Sequence, residues 1–189
     1  MFRELLLQRT AEFCRLSAIQ LGQLQKHYEL MMRWNKTVNL TRIEDLAEAI
    51  DRHYSESLFL GSKLPPGPLT IADVGSGAGF PGVPIAILRP EVSVVLIESH
   101  QRKAVFLKEV TRDLPNVRVD SGRAECLVGT FDWVVSRAVS WPDLETLRLA
   151  PKLALIGTEA PGLVIPIPGE GNRKVVIVSR GTGCYSRNS

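Results

Sequence analysis

Residues 73–82 read Asp-Val-Gly-Ser-Gly-Ala-Gly-Phe-Pro-Gly. The segment follows an apolar run over 69–74 and precedes a second one over 84–88. Glycine adopts positive φ without steric cost and lets another group approach the backbone closely. A glycine-rich turn between a strand and a helix is the setting in which such a loop holds a ligand at a helix N-terminus. A chain with this unit is restricted to strands joined by crossover helices. Its sheet is therefore mainly parallel, and its ligand lies beyond the carboxyl ends of the strands.

The pattern on either side agrees. Residues 92–97 form a β-branched run closed by Glu98, and a helix is predicted over 102–112. Short strands are predicted at 117–119, 131–135 and 153–156, and a closing hairpin pairs 163–167 with 174–178 across 169–172. The expected fold class is α/β: a Rossmann-like doubly wound sheet with helices on both faces. Before it, residues 1–66 read as a helical extension. Ser17 and Gln20 have capping-box spacing for a helix from about Ala18, and Leu21, Leu24, Tyr28 and Met31 form its apolar stripe. Thr41 and Glu44 form a second box, followed by Ile43, Leu46, Ile50 and Tyr54 at helical steps. Pro65, Pro66, Gly67 and Pro68 end the helical stretch. The cofactor-binding domain is placed at 67–180, and 181–189 is expected to be a disordered tail.

Two cofactor classes compete for the loop. Gly77, Gly79 and Gly82 match the G-x-G-x-x-G dinucleotide fingerprint, with Glu98 spaced to take ribose hydroxyls. Asp73 argues for the other class, since a carboxylate two residues before Gly75 repels a pyrophosphate. It favours S-adenosylmethionine, which carries an ammonium and a sulfonium and no phosphate. On that reading Asp73, the loop glycines Gly75, Gly77 and Gly79, and Glu98 border the cofactor. Arg123, Ala124 and Glu125 follow the third strand, where the adenine is expected. Arg137 ends the fourth strand, where an arginine can meet the cofactor carboxylate or an RNA phosphate.

The balance of 23 basic and 20 acidic residues gives +3 with neutral histidines, which permits a nucleic-acid partner without requiring one. Cys14, Cys126 and Cys184 are far apart and odd in number, which speaks against a disulfide framework or a zinc knuckle. No metal site is expected. Charges at Arg3, Glu4, Arg9 and Glu12 exclude a signal-peptide core at the start, and no apolar run approaches the length of a membrane span. A cytoplasmic protein without a membrane partner is expected.

The chain resembles the bacterial RsmG family, also called glucose-inhibited division protein B. The resemblance rests on Trp34-Asn35-Lys36 with Asn39-Leu40-Thr41, on Arg52-His53 with Ser57-Leu58, and on residues 73–84. It continues through Arg89-Pro90, Arg102-Lys103 with Phe106-Leu107, and Ser136-Arg137-Ala138, covering about residues 20 to 140. It implies a class I S-adenosylmethionine-dependent methyltransferase that modifies guanine N7 in small-subunit (16S) ribosomal RNA, and cofactor contacts from Gly75, Phe80, Ala124, Glu125 and Arg137. The match fades after about Ala150. The family's strand with Lys-Gly is replaced by Leu155-Ile156-Gly157-Thr158, and the 161–171 region is shortened.

N7 of guanine carries a free lone pair. Attack on a sulfonium methyl needs alignment rather than a general base, so no catalytic acid or base is assigned. Lys36, Arg42, Arg52, His53, Arg102 and Lys103 form the expected RNA footprint, with Lys26, His27 and Arg33 on the same helices and Trp34 and Trp141 as stacking candidates. The expected partner is small-subunit ribosomal RNA or the small subunit itself, bound by a monomer. Two alternatives stand beside this: a ribosome- or RNA-binding protein that keeps the cofactor fold without turnover, and an NAD-dependent oxidoreductase.

Overall fold

The computed structural model describes residues 1–127, 129–169 and 171–180. Seven strands form one sheet: β1 (Thr70–Val74), β2 (Ser93–Ile97), β3 (Val117–Asp120), β4 (Trp133–Arg137), β5 (Lys152–Ile156), β6 (Leu163–Pro166) and β7 (Lys174–Ser179). Their order is β3-β2-β1-β4-β5-β7-β6, with β7 antiparallel to both of its neighbours and β1 to β5 parallel. The order reverses direction between β1 and β4. That switch point opens a crevice at the carboxyl ends of the two strands. The predicted closing hairpin is β6–β7, its register set by Val164 opposite Val176.

The helices are α1 (Phe2–Thr10), α2 (Ala18–Val38), α3 (Leu46–Ala49), α4 (Glu56–Lys63), α5 (Gly82–Leu88), α6 (Gln101–Val110) and α7 (Trp141–Thr146). The capping box of α2 forms as expected: Gln20 N donates to Ser17 Oγ, and Ser17 N donates to Gln20 Oε1. The second box does not. Thr41 Oγ1 accepts from Ile43 N, and α3 is capped four residues later by Asp45, whose Oδ1 accepts from Glu48 N. Asp45-x-x-Glu48 has the same spacing as Thr41-x-x-Glu44, and its carboxylate supplies the cap. Between α3 and α4 the helix widens into a π turn, Ile50–Ser55, of the kind that often marks a functional site. Pro84 sits in the first turn of α5, where a missing N–H costs no hydrogen bond.

The period-2 alternation of the strands sorts side chains onto two faces. Ile71, Leu96, Val135 and Val175 pack with α1, α2, α4, α5 and α6 in one apolar core, so the N-terminal helices and the sheet share a single interior. Ala72, Val134, Leu153 and Val176 face a smaller core closed by α7 and Leu147, Leu149 and Ala150. The chain runs from β5 through 157–162 directly into β6 with no helix between them. The second face is therefore covered by α7 and loops alone: helices lie on both faces, as expected, but unevenly. The expected tail at 181–189, with Cys184, lies outside the described residues. No helix among the described residues is long and apolar enough to cross a membrane.

Candidate functional site

The loop after β1 is anchored to the next strand. Gly75 N and Ser76 N both donate to Ile97 O, at 3.0 and 3.1 Å. Gly75, Gly77 and Gly79 all have positive φ, at 72°, 56° and 91°. Two of these glycines serve different ends. A Cβ at Gly79 would lie 2.7 Å from Val83 Cγ2 and 3.1 Å from His27 Nε2, so it is a packing glycine. A Cβ at Gly77 would meet only Gly75 O, at 3.8 Å, and would otherwise enter open space.

Asp73 is fully buried on the helical side of the sheet. Its Oδ2 accepts from Gly82 N at 3.0 Å, tying β1 to the start of α5, and its Oδ1 has no partner. Burial raises its carboxyl pKa to about 7, against the hydrogen bond from Gly82 N. Glu98 is also buried; its Oε2 accepts from Gly77 N at 2.9 Å and its Oε1 from His100 N at 2.7 Å. It holds the glycine loop in shape while standing at the end of β2.

Beside the loop lies a cleft of about 300 Å³, bordered by Gly75, Ile97, Arg123, Ala124, Glu125 and Val139. These residues come from the carboxyl ends of β1, β2, β3 and β4. The structure thus brings Gly75, Ala124 and Glu125 to one cavity, with Glu98 behind it. Phe80 turns inward: its ring is 4% exposed and stacks on His53 at 4.6 Å. Any contact it makes to a ligand in the cleft is through its backbone.

Arg137 stands one cavity further on. A second space of about 420 Å³ is bordered by Arg52, Glu56, Arg137, Ala138, Thr158 and Arg173. Ala138 holds φ at +62°, a strained value for a residue with a Cβ. Its neighbour Val139 borders the first cavity, and Thr158 Oγ1 donates to Val139 O at 2.7 Å. This short segment is the wall between the two spaces.

The two central histidines are structural, not part of an exposed RNA footprint. His53 is 4% exposed and His27 is 2% exposed. Arg137 Nη1 donates to His53 Nδ1 at 2.6 Å, so the proton sits on Nε2, which faces Thr41 Oγ1 at 2.8 Å. Likewise Ala78 O can only accept, so His27 carries its proton on Nε2 (2.9 Å), and Nδ1 accepts from Tyr54 OH (2.7 Å). Burial pushes His27 down to about 4. Burial, with Arg137 beside it, pushes His53 down to about 3. Both are neutral when folded and cationic when unfolded below pH ~6.5. Their contribution to stability is full above that value and is lost as pH falls. Between pH 7 and 5 each histidine removes about 2 kcal/mol, and Asp73, whose raised pKa works in the opposite sense, returns about 2. The parent is therefore expected to lose on the order of 1–2 kcal/mol over this range, and His53→Gln almost none. Urea unfolding at the two pH values measures this; equal losses in both proteins would contradict a neutral His53.

Of the expected RNA-facing residues, Lys36, Arg42, Arg52 and Arg102 are exposed and Lys103 is half-buried. Arg102 Nη2 donates to Thr37 O at 3.1 Å, which brings α6 against the end of α2 near Lys36. Trp34 packs edge-on against Phe106 at 5.8 Å. Glu56, Thr158 and Arg173 carried no signal in the sequence reading. No group of three or more His, Cys, Asp or Glu among the described residues could hold a metal ion.

The model of the GidB family, described as rRNA small subunit methyltransferase G, matches residues 20–153. A Ribosomal RNA small subunit methyltransferase G of Nitrosomonas eutropha is 35% identical over 197 residues, covering 87% of this chain and 88% of that protein. One from Xanthomonas euvesicatoria is 39% identical over 137 residues, covering 70% of this chain and 64% of that protein. For several relatives the chain thus spans less than two thirds of their length, 56% for that of Nitrosomonas europaea. Among solved structures, magnesium protoporphyrin IX methyltransferase of Synechocystis PCC 6803, with bound S-adenosylmethionine, aligns with a TM-score of 0.57 at 10% identity, over 82% of this chain and 97% of that one. The fold is that of the class I S-adenosylmethionine-dependent methyltransferases.

Proposed function

The chain belongs to the GidB family, rRNA small subunit methyltransferase G, and from that premise we propose that it transfers a methyl group from S-adenosylmethionine to N7 of a guanine in small-subunit ribosomal RNA. The observation that carries this reading is the cleft at the sheet's switch point, walled by Gly75, Ala124 and Glu125 and backed by Glu98. The residues present fit the cofactor. The buried, unpartnered Oδ1 of Asp73 lies behind a loop that admits no phosphate beside a carboxylate. Open space at Gly77 lets a ligand reach the backbone. Ala124 offers an apolar edge for an adenine ring, and Glu98 stands where ribose hydroxyls donate to a carboxylate. When bound, the cofactor supplies an electrophilic methyl on sulfur. The chain's own work is to hold the acceptor N7 in line with it and to exclude water. N7 needs no deprotonation, which agrees with a site in which no acid or base is assigned.

The RNA faces the rim formed by Lys36, Arg42 and Arg102, exposed cations at the end of α2, after it, and at the start of α6. Phosphate contacts act by charge and counterion release, at a distance from the glycine loop. Replacing all three by glutamine is expected to weaken binding to small subunits by roughly 10- to 100-fold and to flatten its salt dependence by about one log–log unit per lost contact. S-adenosylmethionine affinity, measured by calorimetry, should stay at the parent's value. A triple variant that binds subunits with the parent's affinity and salt slope would remove these residues from the interface.

A further inference from the structure

The wall at Ala138 and Val139 separates two cavities, and the methyl-transfer reading fills only the one beside the glycine loop. Resting on that reading, we propose that the second cavity seats the acceptor guanine and that Glu56 selects it, by accepting hydrogen bonds from the base's N1–H and N2 amino group.

Glu56 borders this cavity, and its side chain is 5% exposed. Arg137, Arg173 and Arg52 stand 3.5, 3.6 and 3.9 Å from its oxygens. Those separations are ion-pair distances, longer than the about 2.7–3.2 Å of a good N–H···O bond. The carboxylate is thus neutralised by charge while its two oxygens, with about four lone-pair sites, keep hydrogen-bonding capacity. An isolated buried carboxylate is costly, so a counter-charged one with spare acceptors has been kept for donors that arrive with a ligand.

Base chemistry decides which ligand fits. Guanine alone presents two adjacent donors, N1–H and N2–H, on one edge. Adenine and cytosine each place a ring acceptor beside their amino group, and that lone pair would face the carboxylate. Uracil offers a single N–H between two carbonyls. Guanine also carries O6 next to N1, an acceptor suited to an arginine. Arg137 is held for such a role. It is fixed by His53 Nδ1, and His53 is itself fixed by Thr41 and by stacking on Phe80 of the glycine loop. A purine bound through N1, N2 and O6 leaves its N7 on the opposite edge, free to face the cofactor cleft past Ala138 and Val139. A phosphate would lie against Glu56 and be repelled; Lys174 is paired with Glu159 at 2.7 Å, so the donors that serve the base carbonyl are those of Arg137 and the unpartnered Nε of Arg173.

The test pairs a variant with an altered substrate. The methylated position is first mapped by aniline cleavage of RNA methylated by the parent, and RNA is then prepared with inosine, which lacks the N2 amino group, at that position alone. The parent should methylate inosine RNA with kcat/KM at least tenfold below guanosine RNA. Glu56→Gln should lose at least tenfold on guanosine RNA, discriminate guanosine from inosine by less than about twofold, and keep the parent's affinity for S-adenosylmethionine. Glu56→Asp, which preserves the charge facing the three guanidiniums and withdraws the oxygens, should keep the parent's melting temperature and lose guanosine turnover. A parent indifferent to inosine, or a Glu56 variant that keeps the parent's rate and discrimination, overturns the proposal alone. A parent that binds S-adenosylmethionine and methylates no RNA overturns the methyl-transfer reading and this inference with it.

Discussion

Replacing Gly77 by valine will abolish S-adenosylmethionine binding and leave a folded protein. The backbone at Gly77 holds φ at +56°, and a Cβ there meets nothing nearer than Gly75 O at 3.8 Å. The added side chain therefore enters open space beside the loop, where the proposed ligand would lie, rather than the protein core. Left-handed backbone costs a non-glycine residue about 1–2 kcal/mol, more with β-branching, so the melting temperature falls by some degrees. Affinity should fall by more than roughly 100-fold, about 3 kcal/mol. Gly79→Ala provides the contrast. Its Cβ would be forced against Val83 and His27, so it should reduce stability first. Calorimetry on the two apo proteins separates these effects; a Gly77→Val protein with the parent's affinity would show that the ligand lies elsewhere.

Asp73→Asn is expected to raise the stability of the apo protein and to weaken the ligand. A carboxyl whose folded pKa is raised to about 7 stabilises fully below its unfolded value near 4 and loses that contribution as pH rises through 7. Asparagine keeps an acceptor for Gly82 N and never ionises. The variant should therefore match the parent near pH 5 and exceed it at pH 8 by about 1–3 kcal/mol, once an unpaired buried amide is allowed for. Binding should move the other way. A cationic ligand favours the ionised acid, so near pH 6.5 the parent should release up to one proton on binding S-adenosylmethionine. Calorimetry in two buffers of different ionisation enthalpy counts that proton. Equal stability of parent and variant at pH 8, or the same proton release from Asp73→Asn, would contradict the account. An acid retained at a cost to the fold is what a ligand-binding role predicts.

How much of this was legible in the sequence follows from how local each feature is. The glycine loop, the α2 cap at Ser17 and the β6–β7 hairpin depend on residues a few positions apart, and they are found where the pattern placed them. The start of α3 shifted because two capping signals of equal spacing overlap, and only the tertiary position of Thr41, beside His53, selects between them. Burial of charged and polar groups was not legible. His27 and His53 read as basic residues on helices, yet one props Ala78 in the glycine loop and the other joins Phe80 to Arg137. Glu56 lies on the same turn as Arg52 and His53, and its pocket is completed by Arg173 and Thr158, more than a hundred residues away. The thin second face was hidden for a similar reason: a 157–162 link without a helix is visible only as a missing pattern.

The central claim is methyl transfer to guanine N7, and the most direct measurement is product analysis. Small ribosomal subunits from cells lacking the endogenous methyltransferase are incubated with the purified chain and S-adenosylmethionine labelled on its methyl group. The RNA is then digested to nucleosides. Label is expected in 7-methylguanosine at a single site, and none with Gly77→Val. Label in another nucleoside, or in protein, or none at all from a chain that binds S-adenosylmethionine, would contradict it.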